Sequence, residues 1–217
     1  VIDPDDPNIV IVATEKGILK TINGGTSWTN VYSSNSGIED LDADPTDFNK
    51  VYATEHGVGL VKSIDAGNNW ELSVDGLEQG LRYELAISPV NPAKIYLSIN
   101  TTGSPIVYRS TDEGETWQKF KKKDTGDHDY LGGQGEYDNI ITCHPYDEDI
   151  AFLGGVNLFK VDFSDPGTNL TSEHMVYRVD QIDTRSFLSF IDFGGDYLGR
   201  GMDFDEEATN ITLADLV

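Results

Sequence analysis

Three near-copies of one octapeptide punctuate this chain: TINGGTSW at Thr21–Trp28, SIDAGNNW at Ser63–Trp70 and STDEGETW at Ser110–Trp117. Each reads Ser/Thr-x-Asp/Asn-x-Gly-x-x-Trp, and the tryptophans stand 42 and 47 positions apart. A motif returning at such a period marks a chain of like structural units. Each is too small to bury its own apolar side and depends on its neighbours to do so.

A second signature keeps step with this box. DPDDPN (Asp3–Asn8), DPTDFN (Asp44–Asn49), SPVNPA (Ser88–Ala93) and HPYDED (His144–Asp149) each precede a run rich in Val, Ile and Tyr. Those runs are IVIVAT (Ile9–Thr14), KVYAT (Lys50–Thr54), KIYLSI (Lys94–Ile99) and IAFLGG (Ile150–Gly155). A further run, GILKT, GLVKS or IVYRS, leads into each box. The fourth unit has the matching NLFKV (Asn157–Val161) but continues FSDPG, so it lacks a box. Short β-rich runs bounded by Pro, Asp, Asn and Gly read as strands and turns. Two more, such as WELSV (Trp70–Val74) and YELAIS (Tyr83–Ser88), lie between a box and the next turn. One period therefore holds four strands. That predicts an all-β fold, a β-propeller of four-stranded antiparallel blades whose boxes form hairpins.

The box suits a hairpin chemically. Its Asp or Asn can accept hydrogen bonds from backbone N–H groups two or three residues on. Its Gly supplies a positive φ that other residues resist, and its Trp packs on the blade while its indole N–H finds a partner. The structural set is Thr21, Asn23, Gly25 and Trp28; Ser63, Asp65, Gly67 and Trp70; and Ser110, Asp112, Gly114 and Trp117. This pattern resembles the Asp-box, or BNR repeat, of sialidases, xyloglucanase-type glycoside hydrolases, sortilin-like propellers and photosystem assembly propellers. The Asp-Pro turns, and GGQGEYDNII running into GGVNLFKV, are similar to secreted bacterial members of that superfamily. The resemblance covers about residues 1–163 and implies a propeller with its boxes on the outer rim, away from any central site.

Two divisions follow: residues 1–163 as about four blades, and residues 164–217 as a degenerate blade or the start of a following segment. Four units are fewer than a closed propeller usually has, so the chain reads as an incomplete or cropped propeller, part of a larger protein. Within the tail, Met175–Phe193 is the strand-like stretch.

The 38 acidic and 15 basic residues give a net charge of −23. Such a surface repels nucleic acid and anionic lipid, both of which need Lys and Arg. It suits a basic partner or cation-rich surroundings. No run approaches the length of a membrane span. The resemblance implies a secreted or cell-surface location, and three Asn-x-Thr sequons at Asn100, Asn169 and Asn210 agree with it. The single Cys143 lies in an alternating apolar run and reads as a small buried residue.

Candidate chemistry gathers in the longest segment between strands, Lys121–Asn139. Long polar loops with aromatic residues are disproportionately functional. His128, Tyr130 and Tyr137 are its candidate ligand-binding residues, and Asp129, Glu136 and Asp138 its candidate catalytic carboxylates. The turn ATEHGVG (Ala53–Gly59) places Glu55 and His56 together, and Glu15 of ATEKGIL matches Glu55 in the alignment. A glycosidase needs two carboxylates at a set separation. A sialidase also needs an Arg cluster, and only Arg82, Arg109, Arg178, Arg185 and Arg200 are present. Arg109 fills a repeat position held elsewhere by Lys20 and Lys62. No cofactor is expected and no metal site is assigned, Ca²⁺ being the ion that the oxygen-rich turns would suit best.

The sequence therefore points to a binding or scaffold module for a glycan or a protein, joined to other domains of its parent chain. An Asp-box-type glycoside hydrolase and a structural spacer are the alternatives.

Overall fold

The computed structural model describes residues 1–102, 105–120, 130–156, 158–164 and 175–178, with 158–160 and 175–178 described by backbone alone. All regular structure among these residues is β-strand. The first sheet holds β1 (Val10–Thr14), β2 (Gly17–Thr21) and β3 (Thr29–Ser33). Beside β1, Val1–Asp3 take the inner-strand place: the Ile11 N–H donates to Val1 O at 3.0 Å and the Asp3 N–H to Ile9 O at 3.1 Å. The second sheet is β4 (Ile38–Ala43), β5 (Val51–Glu55), β6 (Gly59–Ser63) and β7 (Glu71–Leu72). The third is β8 (Tyr83–Ile87), β9 (Ile95–Ile99), β10 (Ile106–Ser110) and β11 (Gln118–Phe120). The fourth is β12 (Ile140–Cys143), β13 (Ile150–Gly154), β14 (Leu158–Asp162) and β15 (Met175–Arg178).

Every sheet is an antiparallel meander in chain order. The leading strands pack side by side, β4 against β8 and β8 against β12, as blades do around a propeller axis. The fourth blade runs past residue 163, because β15 pairs with β14 through Phe159–Arg178 and Val161–Met175. The rest of the tail lies outside the described residues.

Within a box, the Ser or Thr hydroxyl sits at the centre. Those of Thr21, Ser63 and Ser110 accept the N–H of Gly25, Gly67 and Gly114 at 3.0, 2.9 and 2.8 Å. Each hydroxyl also donates to the Asn23, Asp65 or Asp112 side chain at 2.9, 2.9 and 2.7 Å. That side chain then accepts the N–H of Ser27, Asn69 or Thr116, four residues on, at 2.9, 2.8 and 2.9 Å. The reach is thus mainly four residues, longer than the expected two or three. The glycines sit at φ of 87°, 78° and 80°, the left-handed region that a side chain disfavours. Asn69 donates to Asp65 from both side chain and backbone and holds its carboxyl at about 2. These carboxylates are committed to the turn.

Each box also leans on the blade before it. The Trp117 ring is 6% exposed, and its indole N–H donates to Ser73 O of the second blade at 3.1 Å. Trp117 shares a core with Tyr52 and Leu60 of that blade and with Leu85, Leu97 and Tyr108 of its own. Trp70 packs, half-buried, on the core formed by Ile11 and Ile18 of the first blade with Val51 and Val61 of the second. Trp28 has no such neighbour among the described residues and is 42% exposed. A cation one residue from the end of β2, β6 and β10 makes the same crossing. The Lys20 ammonium donates to Ala66 O at 2.7 Å and to Asn68 Oδ1 at 2.9 Å. Lys62 pairs with Glu115. Arg109 donates to Phe163 O at 2.7 Å and lies 5.0 Å from the centre of the Phe120 ring. The repeat position shared by Lys20, Lys62 and Arg109 is therefore a strap between blades.

The three tryptophans consequently differ in worth. Trp117→Ala should cost about 3–5 kcal/mol, in the range for buried aromatics. Trp28→Ala should cost within about 0.5 kcal/mol, as for a surface site. Trp70→Ala should fall between, and guanidinium midpoints of the three variants give the order.

Candidate functional site

The blades present two faces. The Asp-Pro turns and the boxes share one, joined by backbone bonds such as Ala66 N–H to Asn49 O at 2.9 Å and Glu113 N–H to Ala93 O at 3.1 Å. The loops between second and third strands, and the linkers between blades, share the opposite face. There the Gly57 N–H donates to Leu81 O at 2.7 Å and the Leu81 N–H to Asn100 O at 2.8 Å. The described part of the sequence-predicted loop, residues 130–139, lies on this second face, in the linker between β11 and β12.

His128 and Asp129 lie outside the described residues. Tyr130 is not a surface aromatic. Its ring is 3% exposed, packed with Leu131, Ile141 and Leu153, and its hydroxyl hydrogen-bonds Ser98 Oγ at 2.6 Å. An aromatic ring beside Leu131 gains more by joining the core between the third and fourth blades than by facing water. Tyr137 does stand out, 68% exposed. It sits on a turn in which its N–H and that of Asp138 both donate to Gln134 O, at 3.1 and 3.0 Å. The turn is pinned to the third blade. The Asn139 amide donates to Ser98 O at 2.9 Å, Asn100 Nδ2 donates to Glu136 Oε1 at 2.8 Å, and Arg82 Nη1 donates to Glu136 O at 2.8 Å. Glu136 thus anchors the loop, and Asp138 is half-buried.

The ATEHGVG turn divides its two polar groups. Glu55 is buried and accepts from Tyr32 Oη at 2.7 Å and Ser34 Oγ at 2.5 Å, clamping the first blade to the second. Its register counterpart in the first blade is Thr14, not Glu15, since Thr14 pairs with Gly17 as Glu55 pairs with Gly59. His56 Nδ1 lies 2.7 Å from Glu39 Oε1, and the other Glu39 oxygen accepts the Tyr83 N–H at 3.0 Å.

A second cluster, missed by the sequence reading, lines the leading strands. Asp40 and Glu84 hold one register position in consecutive blades, facing Thr54 and Ser98 of their partner strands. Asp40 Oδ2 accepts the Leu85 N–H at 2.8 Å, crossing from β4 to β8, and the Glu84 carboxyl is within hydrogen-bonding reach of Asp40. Burial, then the charge of Asp40, pushes Glu84 up to about 7, although Arg82 pairs with it at 2.6 Å. Burial also raises Asp40, and raises Asp42 with Asp40 adding to it. Two such carboxyls bind one proton between them more readily than they bear two charges. The only sequence trace is a carboxylate at the same offset before the turns DPTDFN and SPVNPA.

Toward the turn face, β4, β8 and β12 enclose a depression of about 250 Å³. Asp42, Leu85, Ile87, Ile141 and Cys143 line it, with Pro45 and Pro89 at the rim. Burial pushes the Cys143 thiol up to about 12, which leaves it protonated and unreactive. The turn carboxylates serve backbone: Asp44 Oδ1 accepts the Thr46 and Asp47 N–H groups at 2.7 and 3.2 Å. Among the described residues, no three His, Cys, Asp or Glu side chains converge as metal ligands.

No family model and no curated protein matches the sequence. Solved structures do match in fold. An ancestral GH74 enzyme superposes with a TM-score of 0.59 at 21% identity, over 74% of this chain and 22% of the enzyme. An auxiliary nutrient binding protein from Bacteroides thetaiotaomicron gives 0.52 at 14% identity, over 79% and 39%. A chain of the COPII outer coat vertex on membranes gives 0.54 at 10%, over 80% and 47%. The chain thus spans less than half the length of each, and what it shares with them is the β-propeller fold.

Glu84 makes stability depend on pH. Its ordinary value is 4.5 and its folded value about 7, so in that window the folded chain keeps a proton the unfolded chain has lost. Stability should therefore fall as the pH rises through the window. Urea midpoints at about pH 5 and about pH 8 should show the drop in the native chain and a smaller one in Glu84→Gln.

Proposed function

We propose that this chain is a binding module of an extracellular propeller protein, secreted or held at the cell surface, and that it takes a glycan through the loop face. The observation that carries this reading is Tyr137, an exposed ring held on a pinned turn. Exposed aromatic rings offer an apolar platform for the C–H faces of sugars, and neighbouring polar groups meet the hydroxyls. Gln134, Glu136 and Asp138 supply those groups beside Tyr137. A turn already fixed by Asn139, Arg82 and Asn100 loses little freedom on binding, which favours affinity. A basic protein is the rival ligand, supported by the net charge of −23.

A second reading, a glycoside hydrolase, has one observation in its favour. Glu84, up to about 7, is poised as an acid near neutral pH. Against it, Glu84 is already paired with the Arg82 guanidinium at 2.6 Å, which holds its carboxyl for a structural contact.

A glycan array with a parallel hydrolysis assay on plant and host polysaccharides decides between them. The expected result is binding without turnover, weakened at least about tenfold by Tyr137→Ala, the loss of one well-placed anchor. Turnover that vanishes in Glu84→Gln would establish the hydrolase. Silence on the array with capture by basic proteins would transfer the site to a protein ligand.

A further inference from the structure

The depression between β4, β8 and β12 opens on the turn face, away from Tyr137. Leu85, Ile87 and Ile141 make most of its wall apolar, and the protonated Cys143 thiol adds no charge. Asp42 breaks that wall. Its carboxyl is partly buried, and Oδ1 accepts the Ala43 N–H at 2.9 Å. Among the described residues Oδ2 accepts no hydrogen bond, and no Lys or Arg pairs with it. The positive charge that does reach Asp42 is the Val1 amine, which is held on Ile11 O at 2.8 Å and stands outside the wall. Carboxylates elsewhere at the seams have their own cations: Glu84 has Arg82, Glu115 has Lys62 and Asp149 has Lys94.

A carboxylate on an apolar wall is costly to leave unpaired, so the depression is complementary to a cation. A metal ion needs several oxygen ligands, and among the described residues no three carboxylate, His or Cys groups converge as metal ligands. A quaternary ammonium is held by aromatic faces, and no aromatic ring lines the wall. A primary ammonium on an alkyl chain meets both halves of the surface. Its head donates to Asp42 Oδ2 while its chain lies along Leu85, Ile87 and Ile141, and water at the open mouth meets the remaining donors. A volume of about 250 Å³ lies at the small end of ligand pockets, which suits a short chain.

We propose that the turn-face depression is a binding site for a primary alkylammonium group, with Asp42 as its counter-ion. The net charge of −23 raises the concentration of such cations at the surface. A free aliphatic amine and the lysine side chain of a partner protein carry the same group, and the two are told apart by what lies beyond the chain. The site is separate from the loop face, so it stands whether or not Tyr137 binds a glycan.

Methyl NMR of the isotopically labelled chain reads Leu85, Ile87 and Ile141 while n-butylammonium is titrated at neutral pH. Saturable shifts confined to these methyls are expected, with affinity rising about fourfold for each CH₂ from ethyl- to butylammonium. n-Butanol, which has the chain without the charge, should bind at least about tenfold more weakly. Butylammonium should lose at least about tenfold on Asp42→Asn, with unmoved Leu97 and Val107 methyls reporting that this variant is folded. If it does not fold, the contrast of amine with alcohol on the native chain carries the test. N-acetyl-lysine methylamide binding as well as butylammonium supports the proposal with a protein lysine as the source, and binding of butylammonium alone supports it with a free amine. A titration without saturable shifts overturns the proposal. So does n-butanol binding as tightly as the amine, tetramethylammonium doing the same, or a folded Asp42→Asn that binds butylammonium undiminished.

Discussion

Everything in this fold depends on the packing of one box against the blade before it. A single four-stranded meander has two faces and can bury neither alone, so each blade must lend an apolar face to its neighbour. The glycine of the box permits the close approach, as at Gly67 against Ile11. The tryptophan fills the seam, and the indole of Trp117 reaches the backbone carbonyl of Ser73. The third-strand cation crosses the same seam in the opposite direction, from Lys20 to Ala66 and from Lys62 to Glu115. Apolar packing supplies most of the energy at this joint. The largely buried cations and glycines set its register, because a buried charge without its partner would be costly.

The joint also decides where chemistry can sit. Box carboxylates are used up inside their own turns, and Glu55 is consumed as a clamp between blades. What remains available lies elsewhere: Tyr137 on the loop face, and the Asp40–Glu84 pair where consecutive leading strands meet. These places differ physically. Tyr137 is wet and held by a local turn, which fits recognition. The carboxyl pair is largely withdrawn from water, so burial, mutual repulsion and the Arg82 guanidinium set its charge.

The repeat, the strand count and the turn chemistry were legible in the chain itself, since each rests on residues a few positions apart. The hydroxyl–carboxylate–glycine pattern in Ser63, Asp65 and Gly67 specifies the same hairpin wherever it is written. The candidate loop was found in the right linker but read too evenly. Tyr130 and Tyr137 look alike in sequence, yet one is core and one is surface, because only the first meets the side of the next blade. Glu55 and Glu15 match by sequence, but the β5–β6 turn is a residue longer than the β1–β2 turn, and the ladder gives them different places. The axial carboxylates escaped notice because Asp40 and Glu84 stand 44 positions apart and look like ordinary polar residues within strands.

Sequence by itself thus determined the all-β blades, their order and the residues that build each box. Those features are closed by hydrogen bonds within about eight residues, over which spacing dictates contact. Tertiary structure alone decided which of three identical tryptophans is buried, which tyrosine faces water and which carboxyls lie beside one another. Each of those outcomes turns on the side of a neighbouring blade, and solvent exclusion at that distance is a property of packed sheets that no local spacing encodes.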